Sequence, residues 1–142
     1  MSQTCQRSVS ILIVDDDPAS RKLLSVAVGR ASLDCTKVEV AGSIEQTVEK
    51  LRIDSFDVVL LDLNLPGSYG RETIQTVAEA QPTAAIVIVS GLDEEDMDML
   101  EIGEQAQGRI SKGKFDVAAL EETIAEAVEK KASQRHMNGL TP

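Results

Sequence analysis

The feature that most constrains the fold of this chain is the stretch Phe56–Pro66, which reads FDVVLLDLNLP. Its aliphatic run shows no polar alternation, and this is typical of a strand buried on both faces of a parallel sheet. The run ends in Asp62, and Pro66 and Gly67 then break the chain. A carboxylate at the end of a core strand is costly to bury unless something binds it. Because ligands of open α/β sheets bind at the carboxyl ends of the strands, Asp62 is a candidate binding residue.

Four other segments predict strands, and helical patterns separate them. The additional predicted strands are residues 9–14, 35–41, 84–89 and, more weakly, 108–111, beside the one at 56–62. Apolar residues at helical spacing predict helices from Pro18 to about Gly29, after Ser43, over 71–80, over 93–104 and after Asp116. Strict alternation of strand and helix predicts a three-layer α/β/α sandwich around a five-stranded parallel sheet. The periodicity does not specify the strand order.

Composition limits the classes of partner. The chain has 142 residues, enough for one domain with a core of its own. Fourteen basic and 24 acidic residues give a net charge of −10, which argues against direct binding to nucleic acid or to an anionic membrane. Two cysteines form no disulfide framework, and no apolar run is long enough to cross a bilayer. We therefore expect a cytoplasmic protein with a flexible segment at 1–8, a domain at 9–131, and a polar tail or truncated linker at 132–142.

Chemically active side chains end four of the five predicted strands. They are Asp15 with Asp16, Asp62, Ser90 and Lys112. Each one has an ordinary alternative role, since strand-end aspartates and serines often cap the next helix and a lone lysine is usually solvated. Parallel strands, however, bring all of their carboxyl ends to one edge of the sheet, where these groups would meet. Clustered carboxylates repel one another unless a cation binds them.

This set of residue types suits phosphoryl transfer. Mg²⁺ binds one or two carboxylates together with phosphate oxygens and water. A carboxylate can act as the nucleophile that accepts a phosphoryl group. The charge that develops in the transfer is stabilised by a metal ion, an ammonium group and hydrogen-bond donors. Asp16, Asp62, Ser90 and Lys112 would supply all of these functions.

These motifs, in this order, resemble the receiver domain of two-component response regulators over roughly residues 9–131. The matching pieces are ILIVDD ending at Asp16, VVLLDLNLP around Asp62, VIVSG ending at Gly91, and GRISK ending at Lys112. The resemblance implies a flavodoxin-like sheet of order 2-1-3-4-5. It also implies that Asp62 is phosphorylated by a histidine kinase or a phosphotransfer protein, and thereby switches binding of a downstream protein.

The resemblance also implies the residues around the phosphoacceptor. Mg²⁺ would be held by Asp15, Asp16, Asp62 and the backbone carbonyl of Asn64. Phosphate binding and switching would fall to Ser90, Gly91 and Lys112. The family often has an aromatic residue three positions before the lysine, and here that position is Arg109. A partner surface would therefore include Arg109 and the predicted helix at 93–104, which carries seven acidic residues and no basic one. A homodimer through the 93–131 face is compatible with this arrangement.

Two alternatives stay open at the level of sequence. A phosphohydrolase of the haloacid-dehalogenase type would also use a strand-end aspartate, but it needs a second aspartate two residues later, where this chain has Asn64. A pseudo-receiver would act as an interaction module without phosphate, although no expected site residue is missing here. A nucleotide-binding domain is disfavoured because no glycine-rich loop follows the first strand. We expect a signalling domain that catalyses only its own phosphoryl transfer and dephosphorylation.

Overall fold

The computed structural model describes residues 8–31, 34–63, 65, 70–90, 106–111 and 116–139. The strands are β1 (Ser8–Val14), β2 (Asp34–Ala41), β3 (Val58–Asp62), β4 (Ala85–Ser90) and β5 (Gly108–Ser111). They form one parallel sheet of order β2-β1-β3-β4-β5. The predicted fold class and the strand order implied by the family resemblance are therefore confirmed.

Four helices lie in the described part of the chain. They are α1 (Pro18–Arg30), α2 (Ile44–Ile53), α3 (Gly70–Ala80) and α4 (Val117–Gly139). One apolar cluster joins one face of the sheet to α1 and α4, and a second joins the other face to α2 and α3. The three predicted layers are thus present. The helix predicted over 93–104 lies outside the described residues.

The central strand β3 is buried along its whole length, as the uninterrupted aliphatic run predicts. It begins at Val58, two residues later than predicted. The reason lies in the hydrogen bonds of the preceding residues. The Phe56 N–H donates to the side-chain oxygen of Gln81 at 2.6 Å, and only at Asp57 does the backbone reach β1, where its N–H donates to the Ser10 carbonyl at 2.9 Å.

Side-chain caps fix where three of the helices begin. Asp17 caps α1 by accepting a hydrogen bond from the Ala19 N–H at 3.1 Å, and Pro18 follows it in the first turn. Ser43 caps α2 by accepting from the Gln46 N–H at 3.1 Å, at the start of the helix predicted after Ser43. Asp116 accepts from the Ala119 N–H at 2.7 Å and caps α4, the helix predicted after Asp116.

One apolar residue of α1, Leu23, is not in the core. Its side chain is 57% exposed, whereas Leu24, Ala27 and Val28 are buried. These three already fill the stripe of α1 that faces the sheet, and Leu23 lies beside that stripe. The last helix also extends further than the apolar pattern suggests. It continues to Gly139 and so includes most of the residues predicted to form a tail or linker.

Among the described residues, none of the helices has the combination of length and apolar character that a bilayer crossing requires.

Candidate functional site

The carboxyl ends of β1 and β3 place two of the predicted site residues side by side. Val14 pairs with Leu61 in the parallel register, so Asp15 and Asp62 are the next residues on neighbouring strands. Both strands are made of aliphatic residues that are fully buried on both faces of the sheet at this point. The sheet therefore holds the two backbones in a fixed relation, and their polar side chains mark the point where the apolar core ends.

Asp15, Asp16 and Asp62 form one cluster. Each offers a carboxylate oxygen, and these oxygens all lie within 4.8 Å of one another. Asp15 is 0% exposed and Asp62 is 3% exposed, whereas Asp16 is exposed. The cluster is therefore buried on the sheet side and accessible to solvent on the side of Asp16. Three carboxylates at this spacing repel one another, and a divalent cation would reduce that repulsion.

Three hydrogen bonds hold Asp15 in place. Its backbone N–H donates to the carbonyl of Ala41 at 3.1 Å, which extends the pairing of β1 with β2. Its Oδ1 accepts from the Asp17 N–H at 2.9 Å, which closes the turn into α1. Its carbonyl accepts from Arg21 Nη1 at 3.3 Å. The conformation of the acidic turn, residues 15–17, is thus fixed by contacts with β2, with α1 and between Asp15 and Asp17 of the turn itself.

The remaining predicted residues are only partly described. Ser90 ends β4, one position beyond Val89, which pairs with Asp62. The backbone of Ser90 is therefore at the same edge of the sheet as the acidic cluster. Arg109 lies in β5 opposite Ile88 and is exposed. Three further predicted residues, Asn64, Gly91 and Lys112, lie outside the described residues.

Sequence reasoning missed contributions from three residues next to the cluster. Asp17 is not among the predicted site residues, but it caps α1 and its N–H donates to Asp15. An aspartate directly before a proline at the start of a helical pattern is the signal that could have identified this cap. Arg21 and Gly42 are not among the predicted site residues either, although the Arg21 guanidinium lies against Gly42. This contact joins segments that are distant in sequence, and no local pattern predicts it.

The chemistry of the donor set fits a hard divalent cation. All three ligand atoms are carboxylate oxygens, which Mg²⁺ prefers over nitrogen or sulfur. A family model described as the response regulator receiver domain matches residues 11–125 of this chain. The chain belongs to the response regulator receiver domain family. Receiver domains are signalling domains that take phosphate from histidine kinases, and nothing here supports the phosphohydrolase alternative.

Characterised relatives of this receiver domain are longer proteins. The response regulator protein PilR of Pseudomonas aeruginosa is 28% identical over 117 residues, or 82% of this chain and 25% of PilR. The nitrate/nitrite response regulator protein NarL of Escherichia coli is 28% identical, with 96% of this chain and 72% of NarL covered. A protein-glutamate methylesterase/protein-glutamine glutaminase of Nitrosospira multiformis is 36% identical over 83 residues, or 58% of this chain and 23% of that enzyme. The chain spans about a quarter of the length of PilR and of the methylesterase.

Solved structures agree with the receiver fold. A CheY-like response regulator receiver domain protein from Methanospirillum hungatei superposes with a TM-score of 0.74 at 23% identity, over 90% of this chain and 99% of that one. The response regulator domain of Thermotoga maritima CheB superposes with a TM-score of 0.74 at 24% identity, over 87% of this chain and 98% of that one. The similarity therefore extends over nearly the whole receiver unit.

Proposed function

We propose that this receiver domain accepts a phosphoryl group on Asp62 from a phosphohistidine of a partner kinase or phosphotransfer protein, and that the product switches binding of a downstream protein. The proposal is supported by one observation above all. Asp62 is 3% exposed at the end of β3, and a carboxylate oxygen of it lies within 4.8 Å of oxygens of Asp15 and Asp16. A buried carboxylate beside two others serves no packing purpose, but it suits a nucleophile beside a metal site.

Asp15, Asp16 and Asp62 would hold Mg²⁺, and the family resemblance adds the backbone carbonyl of Asn64 as a further ligand. When bound, the ion would stabilise negative charge on the transferred phosphoryl oxygens. The contribution of this chain is to hold the acids in place. The β1–β3 register fixes Asp15 relative to Asp62, and the hydrogen bond from the Asp17 N–H orients the carboxylate of Asp15.

The transfer is a displacement at phosphorus. An oxygen of the Asp62 carboxylate forms a bond to phosphorus while the phosphorus–nitrogen bond of the donor phosphohistidine breaks. The electron pair of that bond leaves with the imidazole nitrogen, which takes up a proton. The product on this chain is an acyl phosphate, and hydrolysis by water returns the free carboxylate and inorganic phosphate. The chain would thus catalyse only its own phosphorylation and dephosphorylation.

Ser90, Gly91 and Lys112 would bind the phosphoryl group once it is attached. The position of Ser90 supports its role in phosphate binding, because its backbone directly follows Val89, the residue that pairs with Asp62 in the sheet. A hydroxyl at that edge can donate to a phosphoryl oxygen, and a lysine ammonium would balance its charge. Movement of the loop at Ser90 would then carry the signal toward β5 and Arg109.

The proposal is tested by intact-mass measurement after incubation with acetyl phosphate or phosphoramidate. We expect a single phosphate adduct that forms with Mg²⁺ and does not form in EDTA. Absence of any adduct under both conditions would indicate a pseudo-receiver and would overturn the proposal. Rapid multiple-turnover release of inorganic phosphate, during which no phosphate adduct accumulates on the protein, would instead indicate a phosphohydrolase.

A further inference from the structure

Arg21 connects two turns next to the acidic cluster. It lies in the first part of α1, is partly buried, and donates from Nη1 to the carbonyl of Asp15 at 3.3 Å. The same guanidinium group lies against Gly42, the residue that follows β2. One side chain therefore contacts both the β1–α1 turn, which carries Asp15 and Asp16, and the β2–α2 turn.

Gly42 leaves the space that Arg21 occupies. A Cβ atom built on Gly42 would overlap Arg21 Nη1 and would lie 3.7 Å from Arg21 Cζ. The φ angle of Gly42 is outside the left-handed range, so an alanine could adopt the same backbone conformation. The glycine thus permits the close approach of a side chain and is not needed for an unusual backbone angle.

The β2–α2 turn is held by hydrogen bonds of its own. The Gly42 N–H donates to Gln46 Oε1 at 2.7 Å, and the Gln46 N–H donates to Ser43 Oγ at 3.1 Å. This reciprocal bonding resembles a capping box and restricts the turn. A methyl group at Gly42 would therefore displace the end of the flexible Arg21 side chain and leave the turn in place.

We propose that Arg21 is a positioning residue for the metal site, and that Gly42 lacks a side chain so that the guanidinium group can reach the Asp15 carbonyl. This inference rests on the proposed function, because it concerns the affinity of the site for Mg²⁺. Arg21 fixes the carbonyl of Asp15 while Ala41 fixes its N–H. Together they set the direction in which the carboxylates of the acidic turn point.

Electrostatics and positioning predict opposite effects of removing Arg21. A guanidinium cation near three carboxylates repels a divalent cation, so loss of its charge alone would tighten Mg²⁺ binding. Loss of a positioning contact weakens it, because groups that orient metal ligands typically contribute about 10- to 100-fold to metal affinity. The direction of the change therefore identifies which role dominates.

The test measures the Kd of Mg²⁺ by isothermal titration calorimetry for the wild type, Arg21→Met, Gly42→Ala and the double variant. We expect each single variant to bind Mg²⁺ about tenfold more weakly. Gly42→Ala keeps every charge, and the double variant should bind no more weakly than the weaker single one, because both changes remove the same contact. Thermal melts in EDTA establish that each variant is folded. If one single variant does not fold, the Kd of Mg²⁺ for the other still tests the inference.

Two matched controls are available on α1. Lys22→Met removes a positive charge from the neighbouring exposed position, and Gly29→Ala adds a methyl group where nothing lies within 4 Å. Both should bind Mg²⁺ like the wild type. Wild-type-like or tighter binding by Arg21→Met and Gly42→Ala would overturn this inference and leave the proposed function intact. Absence of Mg²⁺ binding by the wild type itself would overturn both.

Discussion

Asp15 and Asp62 come directly after the paired residues Val14 and Leu61 of neighbouring parallel strands, and together with Asp16 they bring carboxylate oxygens within 4.8 Å of one another. Asp15 is fully buried and Asp62 almost fully buried. Close carboxylates in such a setting destabilise the metal-free fold, because like charges that are held near one another repel. A site that binds a cation well is therefore expected to lower the free energy of unfolding of the protein when no cation is bound.

The first prediction concerns that cost. Asp16→Asn should raise the melting temperature of the metal-free protein, with a gain in unfolding free energy of about 0.5–1 kcal/mol. Mg²⁺ should stabilise the wild type, by about 2.7 kcal/mol at a hundred times Kd, and the variant should lose most of this response. Thermal melts at pH 7 in EDTA and in Mg²⁺ measure both effects.

A matched control lies at the other end of the same strand. Asp57 is exposed just before β3, and its Oδ2 accepts from the Ser10 N–H at 2.9 Å. Asp57→Asn should keep the full Mg²⁺ response, since its carboxylate is remote from the cluster. If Asp16→Asn were destabilised in EDTA as well as unresponsive to Mg²⁺, repulsion within the cluster would not be the dominant effect at Asp16.

The second prediction concerns Gln81, a buried residue directly after α3. Its Nε2 donates to the carbonyls of Leu51 at 2.8 Å and Asp54 at 2.7 Å, and its Oε1 accepts from the Phe56 N–H. Gln81→Leu leaves these backbone groups without a partner inside the protein. We expect a loss of about 2–4 kcal/mol in unfolding free energy.

Urea denaturation of Gln81→Leu measures this loss, and Gln75→Leu is the control because Gln75 is exposed on α3. The control should change stability by no more than about 0.5 kcal/mol. Equal effects of the two substitutions would show that the hydrogen bonds of Gln81 contribute little.

The third prediction concerns the pH dependence of the Lys37–Asp54 pair. Lys37 Nζ lies 2.6 Å from Asp54 Oδ2, and this hydrogen bond holds the pKa of Asp54 below its usual value of 3.8. A carboxyl whose pKa is lower in the folded state stabilises the fold above that usual value, and the contribution is lost as the pH falls through the folded-state pKa. Lys37→Met should therefore return the pKa of Asp54 toward 3.8.

An NMR titration of the Asp54 carboxyl group checks this, with Lys50→Met as the control because Lys50 pairs with Glu39 at 3.0 Å. The stability difference between wild type and Lys37→Met should shrink on acidification below pH 3.8. Part of it should persist, because Lys37 also lies 4.5 Å from the centre of the Phe56 ring. An Asp54 pKa that does not respond to Lys37→Met would contradict the assigned cause.

The fourth prediction concerns the surface that responds to phosphorylation. We expect fluoroberyllate, which mimics a bound phosphoryl group, to shift the amide resonances of β5 around Arg109 and of residues 93–104 as well as those of the pocket. The reason is that Ser90 and Ser111 pair at the end of the sheet, so a shift of the Ser90 loop reaches β5 directly. Changes confined to the residues around Asp62 would exclude this route.

Much of the fold follows from local sequence. The aliphatic runs of β1, β3 and β4 specify a parallel sheet because side chains on both of its faces must be buried. The caps at Ser43 and Asp116 are equally local, since each acts on residues three positions away. Strand ends also predicted the acidic cluster, because parallel strands necessarily bring their carboxyl ends together.

The features that sequence did not reveal depend on distant contacts. Gln81 and Gln107 look like surface residues, yet each bonds backbone groups more than twenty positions away. Nothing in a glutamine indicates which carbonyl it will meet. The length of α4 also depends on a distant contact. Gln134, in the polar end of this helix, accepts a hydrogen bond from Gln107 Nε2 at 3.1 Å. Such partners become apparent only once the strands are placed.

The most direct test of the central claim locates the phosphoryl group. Wild type treated with acetyl phosphate and Mg²⁺ is reduced with borohydride, which converts an aspartyl phosphate to homoserine, and the product is mapped by peptide mass spectrometry. We predict homoserine at position 62, none when Mg²⁺ is withheld, and none in Asp62→Asn, whereas Asp57→Asn should behave like the wild type. Homoserine at another aspartate, or a phosphate adduct of undiminished yield in Asp62→Asn, would contradict the account.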